Sequence, residues 1–157
     1  MKTFDSSWRH MCLVAVSAVL LSPTAATAHP GAARLGVQAT IDKTNALLKR
    51  GATAKEIADA MYEDDLFITG EGKKGSYRDL KSFMGPLAEY VADGSRCTLE
   101  IVDPIRHSGN LAVAFVFEHC AAAKPGEKDE DARILYVFRK GMKGWRATME
   151  TFTWGRF

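Results

Sequence analysis

The sequence has almost no excess of charge of either sign. Its 21 Lys and Arg residues face 19 Asp and Glu residues, giving a formal net charge of +2, and these charges are spread along the chain. A nucleic-acid-binding surface needs clustered basic residues, so no nucleic-acid partner is expected. Hydrophobic residues make up 46% and charged residues 25%, which excludes a disordered chain and a multi-span membrane protein.

Motifs of several enzyme classes are also lacking. The glycine-rich stretch Gly70–Gly75 does not have the spacing of a phosphate-binding P-loop. There is no GxSxG nucleophile elbow, and no His/Cys spacing typical of zinc sites. We therefore expect no cofactor and no bound metal.

A long hydrophobic run is missing as well. The apolar stretch Met11–Leu21 is shorter than the roughly 20 residues that span a bilayer. It follows the basic residues Lys2 and Arg9, and it is followed by Pro23 and the small residues Ala26–Ala28. This order is typical of a secretory signal peptide.

The sequence thus predicts two segments. Residues 1–28 form a cleavable signal peptide, and residues 29–157 form a single domain. The mature protein is expected to be exported, either periplasmic or secreted, without membrane association after cleavage.

The first half of the domain reads as helical. Apolar residues at a 3.6-residue period predict a helix over Gly31–Arg50, which Gly51 ends. The segment Thr53–Glu56 is a capping box that begins a second, short helix. A third helix is expected from Ser76, with a kink or a break at Gly85–Pro86.

The remainder reads as strands. The pattern predicts a short strand at 66–69 and then four longer strands at 97–102, 111–121, 132–140 and 145–154. The element order indicates an α+β fold with helices packed on one face of a curved sheet.

Cysteine is scarce, with three in the chain, and two of them fall on neighbouring strands. If Ser108–Gly109 form a two-residue turn, His107 faces Asn110 and Cys97 faces Cys120. Directly opposite residues are close enough for a disulfide. The alternatives are two free buried thiols, or a register that slips around Pro104.

Bulk predicts which strand face is turned toward the helices. The bulkier face of the strand 111–121 is expected to point inward, leaving the cysteines on the outside. The expected inward set is Thr98, Glu100, Val102, Val113, Phe115, Phe117, His119, Ile134, Tyr136 and Phe138. An apolar cup with a few convergent polar groups is the usual form of a small-molecule site.

The segment Tyr62–Ile68, placed between two helices and a glycine-rich turn, resembles the nuclear transport factor 2-like superfamily. The pattern Arg133–Lys140 followed by Gly144–Arg146 is similar to its SnoaL-like, ketosteroid isomerase-like members. The resemblance implies a cone-shaped α+β barrel with three N-terminal helices packed on a strongly curved antiparallel sheet. Such barrels enclose a pocket, often within a homodimer.

The isomerase chemistry of that group can be compared position by position. It uses a carboxylate base with a tyrosine and a protonated aspartate as oxyanion donors. The resemblance places Gly70 at the base, Thr44 near the tyrosine donor and Tyr136 at the acidic donor. Glu71 is adjacent to the base position but should face the other way. The isomerase set is therefore not intact.

Three hypotheses follow. The leading one is an exported domain that binds a small apolar ligand and has no intact isomerase catalytic set. Its ligand-binding residues would be Tyr62, Phe83, Phe115, Phe117, His119, Tyr136 and Trp154. The second is a SnoaL-like cyclase, isomerase or dehydratase that uses Glu100, His119 and Tyr136 as its acid–base and oxyanion groups. The third is a homodimeric assembly module that pairs through its outer sheet face.

Overall fold

A computed structural model describes residues 30–72, 76–92 and 96–155. The predicted signal peptide lies outside these residues. Two helices come first, α1 (Pro30–Lys49) and α2 (Ala54–Met61), and a third, α3 (Leu80–Ala92), follows the first strand. The strands are β1 Tyr62–Gly70, β2 Arg96–Ile101, β3 Arg106–Ser108, β4 Leu111–Ala121, β5 Glu130–Gly141 and β6 Gly144–Trp154.

The strands form one six-stranded sheet in the order β1-β6-β5-β4-β2, with β3 also paired to β4. The α+β architecture is confirmed, and the sheet is curved and open. It is mixed rather than purely antiparallel, because β1 runs parallel to β6. We call the side covered by the helices the inner face and the opposite side the outer face.

Local signals explain how the first two helices begin and end. Gly51, at φ 68°, ends α1 in a Schellman arrangement: its N–H donates to Leu48 O, and Ala52 N–H donates to Leu47 O. Thr53 and Glu56 then cap each other reciprocally at the start of α2. Both boundaries confirm the sequence prediction.

The third helix differs from the prediction in two ways. It begins at Leu80 rather than Ser76, after Asp79 accepts a 2.7 Å hydrogen bond from the N–H of Ser82. It also continues through Pro86 as one element, so of the two predicted alternatives, a kink or a break, the break is absent. Pro86 costs the helix one hydrogen bond, to the carbonyl of Ser82. Ser82 is exposed to water, which makes that loss tolerable.

The helices are fixed to the sheet by apolar packing and by a few backbone contacts. Val37 and Ile41 of α1 are fully buried, and α1 packs against β2 and β6. Asn45 holds the edge strand β2: its side chain donates to Leu99 O and accepts from Leu99 N–H, both at 2.8 Å. Arg146 of β6 donates to the carbonyls of Ala58 and Asp59 at the end of α2.

Within the described ranges, the helices are all too short or too polar to cross a bilayer.

The strands of the first hairpin pair with two different registers. Cys97 faces Cys120, and the two are joined by a disulfide, as predicted. The turn was predicted incorrectly, because Ser108 pairs with Leu111 and the turn residues are Gly109–Asn110. Two extra residues between β2 and β3, beside Pro104, restore the register of the cysteines. A shift of two residues keeps every side chain on its face.

Candidate functional site

A cavity of about 170 Å³ lies between the helices and the inner face of the sheet. Its walls are mostly apolar and aromatic, and they come from α1, α2, α3 and from all the longer strands. The aromatic members are Tyr62, Tyr77, Phe83, Tyr90, Tyr136, Phe152 and Trp154. These side chains are held by one another: Tyr62 meets the edge of Phe83 at 5.6 Å between centroids, and Phe152 meets Trp154 at 5.4 Å.

Glu150 places a buried carboxyl group on the cavity wall. It lies on β6 directly opposite Tyr136 of β5, and it is 7% exposed. The Tyr62 hydroxyl donates to Glu150 Oε2 at 2.9 Å, and Tyr136 interacts with both groups. The result is a buried cluster of one acid and two phenols.

Burial determines the ionisation of this cluster. Loss of water raises the pKa of Glu150 to about 7, and the nearby Glu118 carboxylate adds to the rise. The hydrogen bonds from Tyr62 and Tyr136 oppose it, since they stabilise the charged form. The pKa values of the two phenols are raised well above 10 by burial and by the adjacent carboxyl group. At neutral pH the acid is thus poised to gain or lose a proton, and both phenols stay neutral.

Glu118 of β4 is a second carboxyl group on the same wall. The Tyr90 hydroxyl of α3 donates to Glu118 Oε1 at 2.6 Å. Burial raises the pKa of Glu118, the Tyr90 hydrogen bond lowers it, and the charge of Glu130 raises it further. The cavity wall therefore carries two acid–phenol pairs, whose acids lie on the separate strands β4 and β6.

Four residues predicted to lie at a ligand do line the cavity. Tyr62, Phe83, Tyr136 and Trp154 are all part of its wall. Tyr136 is 2% exposed and lies on the inner face, as predicted, while Trp154 is 49% exposed at the end of β6. These four side chains come from β1, α3, β5 and β6.

The predicted inward orientation of β4 is wrong. Phe115, Phe117 and His119 lie on the outer face, and Phe115 is 41% exposed. The buried side of β4 carries Ala112, Ala114, Val116, Glu118 and Cys120. The cross-strand register requires this, because Ala114 is the direct partner of the buried Tyr136. Small side chains on β4 leave the volume that the β5 aromatics occupy.

The inward orientation predicted for Thr98 and Glu100 of β2 is also wrong, because it was derived from that of β4. Glu100 is exposed opposite Phe117, and Thr98 is exposed opposite His119. His119 instead forms a 2.7 Å contact through Nδ1 with Asp131 on the outer face. The predicted acid–base set of Glu100, His119 and Tyr136 is therefore divided between the two faces.

The disulfide also lies on the side opposite to the one predicted. Cys97 and Cys120 are 6% and 8% exposed on the inner face, and Cys120 lines the cavity. One atom each from Cys97, Cys120 and Glu118 lie within 4.8 Å of one another. Because the two sulfurs are bonded to each other, neither is the thiolate that metal binding needs.

Known structures of the same architecture identify the fold. The chain is similar to a nuclear transport factor 2-like superfamily protein from Salmonella enterica serovar Typhimurium, with 14% identity and a TM-score of 0.64, covering 82% of this chain and 95% of that one. The chain has the nuclear transport factor 2-like fold.

Two further structures agree with this nuclear transport factor 2-like assignment. A cystatin-like-fold domain of unknown function from Nostoc punctiforme has a TM-score of 0.64 at 17% identity, covering 80% of this chain and 79% of that chain. A nuclear transport factor 2-like protein with a cystatin-like fold from Novosphingobium aromaticivorans has a TM-score of 0.61 at 16% identity, covering 77% of this chain and 80% of that chain. No family model matches the sequence, and no curated protein matches it.

Within this nuclear transport factor 2-like fold, the position compared with the isomerase base is closed. A Cβ atom on Gly70 would overlap the ring of Phe152, so the aromatic wall occupies the space of any side chain there. Thr44 is buried, and its hydroxyl donates to Thr40 O at 2.9 Å and lies 3.5 Å from Met61 Sδ. The acids of this cavity come instead from β4 and β6.

Glu118 and Glu150 were not among the predicted site residues. Each follows from the orientation of its strand, since Glu118 shares a face with the half-cystine Cys120, two residues away. Pairing β5 with its two neighbours in the correct register would have located both acids, because the inward Tyr136 is the direct partner of Glu150 and of Ala114.

Proposed function

We propose that this protein binds a small, largely apolar molecule inside the cavity. The observation that carries this proposal is a cavity of about 170 Å³ with aromatic walls, which two separate acid–phenol pairs line. Cavities of about 150 Å³ lined by apolar side chains bind benzene-sized molecules. A pocket with few, convergent polar groups is the usual architecture of a ligand site.

A fragment screen with a cavity-filling variant tests the proposal. Single-ring compounds are ranked by the rise in melting temperature, and hits are confirmed by ligand-observed NMR. Ala132 lines the cavity and is 2% exposed, so Ala132→Leu should abolish binding by occupying the space. Ala88 is exposed on α3, so Ala88→Leu is the matched control and should bind normally. No binding across the collection, or equal binding by both variants, would contradict the proposal.

An enzyme of SnoaL-like cyclase, isomerase or dehydratase type is the second candidate. The specific observation in its favour is Glu150, whose pKa is raised to about 7 between the Tyr62 and Tyr136 hydroxyls. An acid with a pKa near the working pH is suited to proton transfer, and phenols can donate to a developing oxyanion. The test follows each confirmed fragment by NMR for chemical conversion. Turnover that is unchanged in Glu150→Gln and Tyr136→Phe would exclude this role.

Export of the protein is proposed on two grounds. Residues 1–28 have the composition of a secretory signal peptide, and disulfides such as Cys97–Cys120 persist in oxidising compartments. Expression of the full chain in a bacterial host, followed by fractionation and N-terminal sequencing, tests this. We expect a periplasmic protein that begins at His29; full-length protein retained in the cytoplasm would contradict it.

Homodimerisation through the outer face is also proposed. Leu111, Phe115 and Met149 are 44%, 41% and 36% exposed on that face, and exposed apolar patches often mark interfaces. Sedimentation velocity should give a dimeric mass, and Phe115→Lys should give a monomer. Met142→Lys, in the β5–β6 turn where Met142 is fully exposed, should remain dimeric. A monomeric wild-type protein would exclude this assembly.

A further inference from the structure

The charged groups of the cavity are all of one sign. Glu118 and Glu150 lie on its wall, and Glu130 adds a third carboxyl group. Among the lining residues that the structure describes, there is no lysine, arginine or histidine. Buried carboxylates are ordinarily paired with a cation, because an unpaired buried charge is costly. Here the neighbours are phenols, which can donate a hydrogen bond but carry no positive charge.

Three hydroxyl groups of the cavity wall already donate hydrogen bonds within the protein. The Tyr62 hydroxyl donates to Glu150, and the Tyr90 hydroxyl donates to Glu118. The hydroxyl of Thr44 donates to Thr40 O. These donors are therefore already used within the protein. A carboxylate has about four lone-pair positions, so each acid keeps acceptor capacity after its phenol is bound. The two acids therefore offer acceptors, to which an occupant can supply donors.

The aromatic walls favour the same class of occupant. A cation is attracted to the face of an aromatic ring within about 6 Å, and the attraction is stronger when water is excluded. The rings of Tyr62, Phe83 and Tyr136 are all part of the wall that also carries Glu150. An ammonium group beside this wall would gain both the carboxylate charge and the ring faces.

We propose that the cavity takes an organic cation: a small amine whose ammonium group lies against the Glu150 and Glu118 carboxylates and whose apolar body packs on the aromatic walls. This inference rests on the proposed function and names the chemical class of its ligand. The volume of about 170 Å³ limits the apolar body to roughly one ring.

Binding of such a cation is coupled to protons. The Glu150 carboxyl group, with its pKa near 7, must be ionised to pair with an ammonium ion. The titratable groups that act on it are Tyr62 on β1, Tyr136 on β5 and Glu118 on β4, with Tyr90 of α3 bound to Glu118. Glu130 of β5 and Tyr77 also line the cavity. The described lining residues of α1 and α2 include no titratable side chain. Amine affinity should therefore fall as the pH drops below about 7.

Matched pairs of probes test the proposal in the wild-type protein. Benzylamine is compared with benzyl alcohol, and cyclohexylamine with cyclohexanol, by isothermal titration calorimetry at about pH 8 and about pH 5.5. At the higher pH, each amine should bind at least roughly tenfold more tightly than its alcohol. At the lower pH, the amines should weaken by roughly tenfold or more, while the alcohols should be unchanged.

Variants assign the effect to the two acids. Glu150→Gln and Glu118→Gln should each weaken amine binding roughly tenfold and leave alcohol binding within about twofold. Glu89 is exposed on α3, so Glu89→Gln is the matched control and should behave as wild type. If a glutamine variant does not fold, the wild-type comparison of amines with alcohols still decides the matter.

Each outcome separates the two proposals. Alcohols that bind as tightly as the amines would overturn the assignment of a cation and leave the ligand-binding function standing. Failure of all four probes would also overturn the cation, and the fragment screen with Ala132→Leu would then decide the ligand-binding function by itself. Amine binding that is insensitive to pH and to both glutamine variants would place the amine elsewhere and overturn the proposal.

Discussion

The Tyr62 hydroxyl donates a 2.9 Å hydrogen bond to the carboxyl group of Glu150, and both side chains are buried. A hydrogen bond of this kind favours the ionised acid, whereas burial favours the neutral acid. Burial prevails, because the pKa of Glu150 rises from 4.5 to about 7. The protonation of this one residue is therefore linked to the stability of the whole domain.

Glu150 should make the protein less stable as the pH rises. Between about pH 4.5 and pH 7 the folded acid holds a proton that the unfolded acid has lost. The folded state then binds more protons, so the free energy of unfolding falls with increasing pH. Above pH 7, the ionisation of Glu150 lowers the free energy of unfolding by about 3 kcal/mol relative to acidic pH. Urea unfolding at a series of pH values measures it.

Two variants control that measurement. Glu150→Gln should flatten the dependence of the free energy of unfolding on pH over this window. Between acidic pH and about pH 8, the variant should therefore lose less stability than the wild type. Glu89→Gln removes an exposed acid from α3 and should retain the wild-type slope. A wild-type stability that increases steadily from pH 5 to pH 8 would show that Glu150 is ionised when buried.

The disulfide between Cys97 and Cys120 closes a loop with a sequence separation of 23. A loop of this length is expected to stabilise the protein by about 3 kcal/mol in the chain-entropy treatment. The double variant Cys97→Ala/Cys120→Ala should lose this amount in chemical denaturation. A reducing agent should destabilise the wild type by a similar amount and leave the double variant unaffected. Equal stability of wild type and double variant would contradict the prediction.

Two glycines should respond oppositely to alanine. A Cβ atom on Gly70 would overlap the Phe152 ring, whereas one on Gly85 meets nothing within 4 Å. Gly70→Ala should therefore destabilise the protein by roughly 1–3 kcal/mol through overpacking. Gly85→Ala, inside α3, should stabilise it by up to about 1 kcal/mol through helix propensity. Melting temperatures that move in the same direction for both variants would refute this explanation.

Asn45 should hold the edge strand β2 in place and slow the hydrogen exchange of its backbone. Its amide makes two 2.8 Å hydrogen bonds to the backbone of Leu99, and both would be lost in Asn45→Ala. The expected cost is about 1–3 kcal/mol, because the backbone groups lose their partner in a partly buried site. The Leu99 amide should also exchange faster with deuterium. The control is Gln38→Ala, which removes an exposed side-chain contact with Asp42 and should leave Leu99 protected.

Helix boundaries were predictable because they depend on neighbouring residues. The reciprocal capping of Thr53 and Glu56 and the left-handed Gly51 use groups only a few positions apart. The start of α3 was placed too early. Tyr77 instead pairs with Ile68 of β1, a tertiary contact that the local pattern does not contain.

The orientation of β4 was not predictable from hydropathy, because both of its faces are apolar. Val113, Phe115 and Phe117 alternate with Ala112, Ala114 and Val116. Bulk favoured the first set, but the small set lies inside because the partner strand β5 brings large side chains such as Tyr136 and Phe138. Packing against the neighbouring strand, and not side-chain size within β4, therefore determines which face of β4 is buried.

The face of β6 that carries Glu150 changes parity along the strand. The register of β6 against β5 shifts between Val137 and Phe138. As a result, Trp145 and Ala147 are buried at odd positions, while Glu150 is buried at an even one. A strict two-residue alternation cannot describe both halves of such a strand. The disulfide, by contrast, was predicted correctly because the two-residue error in the turn is cancelled by the two extra residues beside Pro104, which return Cys97 to its place opposite Cys120.

Ala132 occupies the middle of a row formed by Glu118, Ala132 and Trp154 on three adjacent strands. Its methyl group leaves a gap between an acid and an indole at the wall of the cavity. If the cavity binds a ligand as proposed, the side chain at position 132 limits the size of that ligand. Valine or leucine at this position would then admit successively smaller ligands, without any change to Glu118 and Glu150.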